Sequence, residues 1–320
     1  MSHAYTAFDQ LKHYVNSQII GQSDLVNKLL IAVLADGHLL VEGAPGLAKT
    51  KAVKALSEGI DGTFHRAQFT PDLLPADLTG TEIYRPQEGS FVFQEGPLFH
   101  NLVLADEINR APAKVQAALL EAMGERQITV GRTSYPLADL FLVMATQNPI
   151  EQEGTYPLPE AQLDRFLLHV LVDYPNAESE LEILRLVRNE AKSGFSKPET
   201  ELTQKLLFEA RQEVLNLHMA EPLEEYIVQI VMASRNPEAY DEKLAEGIRF
   251  GASPRATIAL DRCARAHAWL QGKDYISPDD IQAIAHDVLR HRILVSFEAE
   301  AEGITSDMLI DQILNLVAVP

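Results

Sequence analysis

A glycine-rich segment at residues 43–50, with the sequence GAPGLAKT, lies between an apolar run and a stretch with helical periodicity. A loop between a strand and a helix directs successive backbone N–H groups, and the positive end of the helix, at one point. We expect such a point to hold a polyphosphate, with Lys49 at the β- and γ-phosphates and the Thr50 hydroxyl on Mg²⁺. The segment therefore predicts a strand–loop–helix unit, and with it an α/β fold.

Ala48 stands in this segment where loops of this kind usually have glycine. We expect Gly43 and Gly46 to supply the bend, and residue 48 to begin the helix, where alanine is the best helix former. The alternative is a chance turn in front of a helix, which would not require the preceding strand.

Apolar runs without alternation recur through the first half of the chain and are separated by helical stretches. This pattern is typical of strands buried on both faces of a parallel sheet. The predicted core is a five-stranded parallel sheet with strands at 38–42, 63–69, 102–105, 141–145 and 166–172. Segments 126–130 and 133–135, on either side of Gly131-Arg132, are typical of a β-hairpin beside the sheet.

The pattern becomes helical throughout after Tyr174-Pro175. Asn109, with Pro112 in the first turn, is typical of a helix start in the first half, and three serine-led starts follow in the second. These three are Ser253-Pro254, Ser277-Pro278 and Ser306-Asp307. We therefore predict two domains, an α/β core in residues 1–174 and a smaller all-α domain in residues 175–320.

Composition narrows the class of protein. The 27 Lys and Arg against 46 Asp and Glu leave a net charge of −19, which disfavours nucleic acid as a partner because its phosphates would be repelled. The single cysteine, Cys263, excludes an internal disulfide and a Cys-based zinc ribbon. No leader pattern is visible at the start, and no apolar run approaches the ~20 residues of a membrane span. We expect a cytoplasmic protein without a membrane span.

Asp106 and Glu107 end the apolar run 102–105. They would therefore lie at the carboxyl edge of the sheet, where α/β folds bind ligands. Asp106 would share a Mg²⁺ ion with Thr50 and nucleotide oxygens, and Glu107 would polarise the attacking water. Alternatively, the two acids only stabilise the positive N-terminal end of the next helix through its dipole.

Three further polar residues are candidates for the same chemistry. Asn148 follows the fourth apolar run, where its amide either holds the attacking water near the γ-phosphate or belongs to a simple turn. Arg165 precedes the last strand, and we expect it to face outward because burial would be costly. It would then either complete a neighbouring subunit's site or pair with Asp164. Arg255 opens a helix, where a cation opposes the dipole, so it has either an anionic partner or full solvation.

The order of these motifs resembles that of the AAA+ ATPases, and their finer sequence is similar to the MoxR family. The match runs from about residue 21 to residue 174 and thins beyond it to Ser253-Pro254-Arg255. The segments that carry it are 43–50 (GAPGLAKT), 68–77 (QFTPDLLPAD), 106–111 (DEINRA), 145–149 (ATQNP) and 158–166 (LPEAQLDRF).

The resemblance implies that Asn148 is sensor 1, Arg165 an arginine finger that acts on a neighbouring subunit, and Arg255 sensor 2. It implies an adenine pocket that includes Ile19, and a β-hairpin insert within residues 78–101 that turns at Glu88-Gly89. The implied ATP-binding residues are Ile20, Gly21, Gln22, Gly43, Ala44, Pro45, Gly46, Leu47, Ala48, Lys49, Thr50 and Lys51.

Family members form hexameric rings and act as chaperone-like remodellers, often beside proteins with von Willebrand factor A-type domains, and help to mature or insert metal cofactors. The resemblance therefore implies an ATP-hydrolysing ring of identical subunits that acts on a protein client. Two alternatives stay open. One is a nucleic-acid-associated motor or loader, which is favoured by the basic residues Arg126 and Arg132 on the second hairpin. The other is a nucleotide-gated scaffold with little turnover. A metabolite kinase is least favoured, because no acceptor pocket is suggested.

Overall fold

The computed structural model describes residues 2–149, 154–193, 198 and 200–320. Its helices are α1 (His3–Gln18), α2 (Ser23–Leu34), α3 (Lys49–Gly59), α4 (Pro75–Thr79), α5 (Ala113–Glu125), α6 (Glu160–Leu163), α7 (Ala177–Ser193), α8 (Gln204–Leu215), α9 (Glu221–Arg235), α10 (Glu242–Gly247), α11 (Pro254–Leu270), α12 (Pro278–Leu289), α13 (Phe297–Ala301) and α14 (Ser306–Leu316). Its strands are β1 (Leu39–Gly43), β2 (Phe64–Gln68), β3 (Gly80–Arg85), β4 (Ser90–Glu95), β5 (Leu102–Asp106), β6 (Gln127–Val130), β7 (Thr133–Pro136), β8 (Leu142–Gln147), β9 (Leu168–Val172), β10 (Ile248–Phe250) and β11 (Leu294–Val295).

The central sheet has the strand order β2-β5-β8-β1-β9, and its pairs are all parallel. This confirms the predicted five-stranded parallel sheet. Alternate residues of a strand enter different apolar clusters: Leu39 and Val41 pack on one face of the sheet, and Leu40 packs on the other. Both faces are covered, so the strands read as continuous apolar runs.

Two β-hairpins stand beside the sheet. β3 pairs with β4 across a turn at residues 86–89, and β6 pairs with β7 across Gly131-Arg132, as predicted. Gly89 and Gly131 have φ values of 64° and 62°, which a side chain rarely adopts. The ring of Phe93 on β4 stacks on that of Tyr135 on β7, with centroids 4.1 Å apart. The hairpins therefore contact each other through this aromatic pair.

The helices after β9 do not form a core of their own. One apolar cluster joins α1 and α2 to α8, α11 and α12. Trp269 of α11 meets Phe8 of α1 edge-on at 5.4 Å, and Lys28 of α2 bonds Asp287 of α12 at 2.6 Å. The sheet ends where the composition changes, but the two-domain division at residue 174 stays a prediction because the packing crosses it.

Helix starts follow the sequence closely in the C-terminal half. Ser253 and Ser277 cap α11 and α12 as predicted. Thr305, one residue earlier than expected, caps α14 through a bond from the Met308 N–H. The start predicted at Asn109 is wrong, because Asn109 lies in a 3₁₀ turn and Pro112 is the N-cap of α5. In the described residues, no helix has the length and apolar character that crossing a membrane requires.

His38 is buried at the entrance of β1 and is held in its neutral form. Its Nδ1 accepts a hydrogen bond from the Val143 N–H at 3.0 Å, and Nε2 faces the Met123 carbonyl at 3.3 Å. Burial lowers the pKa of His38 to about 4, and the positive charge of Arg126 acts in the same direction. The folded protein therefore resists a proton that the unfolded chain accepts near pH 6.5.

We expect the free energy of unfolding to fall on acidification, because the stability that neutral His38 supplies is present above pH 6.5 and is lost as the pH falls towards 4. A pKa shift of this size corresponds to a loss of about 2 kcal/mol between pH 7 and pH 5. Urea unfolding at both pH values measures it. In His38→Asn, which does not titrate, this part of the pH dependence should disappear; an unchanged slope would assign it to other groups.

Candidate nucleotide site

The loop between β1 and α3 is built to approach an anion closely. A side chain at Gly43 would meet the Val172 carbonyl oxygen at 2.6 Å, and Gly46 has a φ of 86°, so both positions require glycine. Among the described residues, the N–H groups of Gly46 and Ala48 have no hydrogen-bond partner. Free main-chain donors ahead of a helix N-terminus are the elements of a phosphate site. The predicted strand–loop–helix unit is confirmed.

Ala48 does not begin the helix as we expected. It is the N-cap of α3, with φ 57° and ψ 13° in the left-handed region. An L-residue there costs about 1–2 kcal/mol because its Cβ crowds the following carbonyl. The bend is thus made at three positions, Gly43, Gly46 and Ala48, and helix propensity does not explain the alanine.

We expect Ala48→Gly to stabilise the nucleotide-free protein by about 0.5–1 kcal/mol, which is the relief of left-handed strain less the extra entropy of an unfolded glycine. Ala44 in the same loop has a negative φ, so Ala44→Gly should destabilise the protein by a similar amount. Denaturant unfolding of the two variants measures both. Loss of stability in Ala48→Gly would show that the methyl contact with the apolar cluster outweighs the strain.

Lys49 lies across the loop. Its Nζ donates to the carbonyl of Gly43 at 2.6 Å and to that of Gln147, at the end of β8, at 3.3 Å. Burial lowers the pKa of Lys49, while the negative charges of Asp106, Glu107 and Glu42 oppose this shift. The ammonium group therefore lies between the loop and the carboxylates, as a phosphate contact requires.

Asp106 is a buried carboxylate with two partners. Its Oδ1 accepts a hydrogen bond from the Thr146 hydroxyl at 2.6 Å. Its Oδ2 accepts from Nη2 of Arg66 at 2.6 Å and from Nε at 3.1 Å. The guanidinium of Arg66 therefore balances the charge of this carboxylate.

The donor set fits Mg²⁺, which prefers oxygen ligands and takes few from the protein. The carboxylate of Asp106 and the hydroxyl of Thr50 are both oxygen donors. The charge of Asp106 is met by the guanidinium of Arg66, whose side chain is half-exposed.

Glu107 is aimed by its backbone and two side chains. Its φ of 58° is unusual for a non-glycine residue, and its N–H donates to the Thr146 hydroxyl at 2.9 Å. Its Oε2 accepts from Nε2 of Gln68 at 2.7 Å and lies 3.2 Å from Nη1 of Arg110. Strained backbone of this kind concentrates at functional sites. The carboxylate is thereby held at the carboxyl edge of the sheet.

Asn148 follows β8 and is buried. Since β8 lies between β1 and β5 in the sheet, Asn148 lies between the loop and the two acids. The structure thus brings Lys49, Asp106, Glu107 and Asn148 to one edge, as the motif order predicts.

A cavity of about 240 Å³ opens beside the loop. Ile19, Ile20 and Gln22 line it together with Pro45 and the loop residues 46–48. Gly21 has no room for a side chain, since a Cβ there would lie 2.8 Å from that of Ser179. Apolar side chains and the loop between β1 and α3 both line the cavity, so it can hold a flat apolar ring beside the loop.

The sequence did not predict that α7 would close this cavity. Ile183, Leu186 and Val187 form its far wall. Lys51, which was expected at the nucleotide, lines the cavity and bonds Glu190 of α7 at 2.6 Å. The apolar face of α7 was visible as helical periodicity, but its position over the loop depends on the tertiary fold.

Arg165, which we expected to face outward, is half-buried and lines a cavity. Its Nη1 donates to the Leu120 carbonyl of α5 and packs on Gly124. Arg165 does not pair with Asp164, whose carboxylate bonds Arg292 at 2.8 Å. The carbonyl contact removes the cost of burial that led to the prediction.

Arg255 lies away from the nucleotide loop of its own chain. It lines a cavity of about 300 Å³ together with Arg165, Gly37 and His38. This cavity lies where β1 begins, and the loop lies where β1 ends, about 16 Å further along the strand. Within one chain the structure therefore brings Arg255 to Arg165 and not to Lys49.

Four residues at the carboxyl edge were missed as site residues: Arg66, Gln68, Arg110 and Thr146. Gln68 is paired in register with Asp106 across β2 and β5. Their position at or near the end of a predicted strand could have indicated a role at the site. Which acid each of them contacts depends on the order of the strands in the sheet, which the sequence alone did not supply.

Comparison with known proteins agrees with this architecture. The sequence profile of the ATPase family associated with various cellular activities (AAA) matches residues 38–168, and that of the AAA lid domain matches residues 242–313. The crystal structure of a putative ATPase from Cytophaga hutchinsonii superposes with a TM-score of 0.92 at 46% identity. It covers 99% of this chain and 96% of that one.

Curated relatives show a similar likeness. Chaperone MoxR1 of Mycobacterium tuberculosis is 44% identical over 94% of this chain and 79% of its own length. The uncharacterised protein YeaC of Bacillus subtilis is 43% identical over 96% of this chain and 93% of its own.

A five-stranded parallel sheet with a phosphate loop at its carboxyl edge and a helical lid defines an AAA-type ATPase, an enzyme that hydrolyses ATP. Within that class, the chain belongs to the MoxR family of chaperone-like ATPases.

Proposed function

We propose that ATP binds with its phosphates on residues 43–51 and its base in the cavity beside Ile20, and that it is hydrolysed there. The observation that carries the proposal is the convergence of free main-chain donors, Lys49, two carboxylates and Asn148 at one edge of the sheet. That edge of an α/β sheet is where ligands bind.

The residues at this edge of the sheet would have different roles in ATP hydrolysis. Lys49 neutralises the β- and γ-phosphates, and Glu107, aimed by Gln68, accepts hydrogen bonding from the attacking water and polarises it. Asn148 holds that water or senses the γ-phosphate. Thr50 and Asp106 would hold Mg²⁺, which supplies positive charge at the phosphate oxygens when bound.

We propose that the site is completed by a second copy of the chain. Arg165 and Arg255 both lie at the edge opposite the loop, so they support action on a neighbour's nucleotide. A ring satisfies this requirement for each subunit in turn, and the family resemblance makes it a hexamer.

We further propose that the ring remodels protein clients, by moving the two joined hairpins when the lid shifts on hydrolysis. The aromatic contact between Phe93 and Tyr135 supports a common movement. The family resemblance adds metal-cofactor insertion as the purpose and a protein with a von Willebrand factor A-type domain as a partner.

Titration calorimetry, sedimentation and hydrolysis assays test the proposal together. We expect micromolar ATP binding, assembly to hexamers with ATP, and a rate per subunit that rises with protein concentration. No heat with adenine nucleotide at millimolar ligand would overturn the nucleotide site. A hydrolysis rate per subunit that is independent of protein concentration would overturn the shared site. ATP hydrolysis without any detectable change in a bound client protein would overturn the remodelling role.

A further inference from the structure

More cationic than anionic side chains line the cavity at the opposite edge of the sheet. Five arginines and two aspartates line it. Arg126 bonds Asp36 at 2.7 Å, and Arg292 bonds Asp164 at 2.8 Å. These two pairs use both carboxylates.

Three arginines of the cavity remain without a carboxylate in the part of the chain that the structure describes: Arg165, Arg255 and Arg262. Arg165 is held by the carbonyl of Leu120. The side chains of Arg255 and Arg262 are exposed and have no hydrogen-bond acceptor among the described residues. In a chain with a net charge of −19, an unbalanced group of three arginines marks an anion-binding surface.

Arg262 extends this surface along α11. It lies seven residues after Arg255, two helical turns or about 10 Å further on the same face. Ile258 and Ala259, between them on that face, also line the cavity. Long arginine side chains at this spacing can approach neighbouring phosphates of one extended polyphosphate chain.

The nucleotide edge of the chain has the complementary charge. Three acids, Glu42, Asp106 and Glu107, accompany Lys49 there. Two arginines at this edge, Arg66 and Arg110, are already paired with Asp106 and Glu107. A second copy that places its arginine cavity against this edge would supply three cations without carboxylates. The planar guanidinium group of an arginine can donate two parallel hydrogen bonds to phosphate oxygens.

We propose that Arg262 contacts the phosphates of the ATP bound by the neighbouring copy, as a third arginine beside Arg165 and Arg255. The proposal rests on the shared site under Proposed function and adds a catalytic residue to it. Removing one charge-assisted contact of this kind lowers kcat/KM by about 10- to 100-fold. No change in folding is expected, because the side chain is exposed and unpaired among the described residues.

Mixing of subunits tests the proposal. Arg262→Ala should hydrolyse ATP slowly on its own, and Glu107→Gln should be nearly inactive on its own. Rings formed from both should regain activity, since a Glu107→Gln subunit can lend its Arg262 to the intact glutamate next to it. Arg249→Ala, which removes an exposed arginine that stacks on Phe250 and Phe297, serves as the control and should leave the rate unchanged.

Several outcomes would overturn the assignment. If Arg165→Ala is rescued by mixing and Arg262→Ala is not, the shared site stands and Arg262 has no part in it. If neither is rescued, the shared site itself fails. If Arg262→Ala weakens assembly equally with and without ATP while assembled rings keep their kcat, Arg262 meets a neighbour's carboxylate and not its phosphates. Thermal unfolding of each variant separates these results from misfolding.

Discussion

Replacing Glu107 by glutamine is expected to slow ATP hydrolysis by about 10²- to 10⁴-fold while leaving ATP binding intact. The amide keeps the length of the side chain and an oxygen that accepts from Gln68, so the geometry at the end of β5 is preserved. It loses the negative charge that we propose polarises the attacking water. Lys49 and the loop, which we propose bind the phosphates, are unchanged.

Single-turnover hydrolysis and calorimetry with ATP measure the two effects separately. Glu209→Gln is a matched control, because Glu209 is an exposed acid on α8 whose pair with Lys205 is 3.9 Å long. The control should keep the wild-type rate. If Glu107→Gln retained turnover within a few-fold, the activating base would lie elsewhere, and if it lost ATP binding, Glu107 would be a structural residue of the loop.

The sheet and the loop could be predicted because their signals are local. Each strand is a continuous apolar run, and a strand, a glycine loop and a helix follow one another along the chain. Even so, the prediction that Ala48 begins the helix is wrong, because Ala48 is the N-cap of α3 in the left-handed region. The helix propensity of alanine is a few tenths of a kcal/mol relative to most residues, and the bend between β1 and α3, which requires a left-handed backbone at residue 48, imposes a larger constraint.

Contacts at the carboxyl edge could be predicted only in part. Asp106 and Glu107 follow their strand directly, whereas Arg66 and Gln68 reach them across the pairing of β2 with β5. That pairing is non-local, since it joins residues 38 positions or more apart, and apolar periodicity does not specify it. The same reason explains Thr146, which bridges both acids from β8.

The position of the lid depends on still longer contacts. The resemblance gives Arg255 the role of sensor 2 without placing it at one edge of the sheet, and α11 is packed against α1 and α2 through residues such as Trp269. This packing carries Arg255 to the edge where β1 begins. No local feature of residues 253–255 shows which edge of the sheet the helix will meet.

Arg165→Ala is expected to have the largest effect on hydrolysis, a loss of about 10³- to 10⁵-fold in kcat, because an arginine that neutralises charge in the transition state of phosphoryl transfer contributes this much. Its guanidinium has no carboxylate partner among the described residues and lies at the edge opposite the loop. In the proposed shared site it acts on a neighbour's nucleotide. ATP binding to each subunit should be retained.

The measurement is kcat at saturating ATP over a range of protein concentrations, with thermal unfolding of the same samples. Arg165→Lys keeps the charge without the planar fork and should recover part of the rate. A purely structural role predicts something else. Since Nη1 of Arg165 bonds the Leu120 carbonyl and packs on Gly124, loss of that anchor alone would lower the melting temperature and leave the kcat of the folded fraction unchanged. A variant that melts normally but hydrolyses slowly, and that recovers when mixed with Glu107→Gln subunits, would be deficient only in what it supplies to its neighbour.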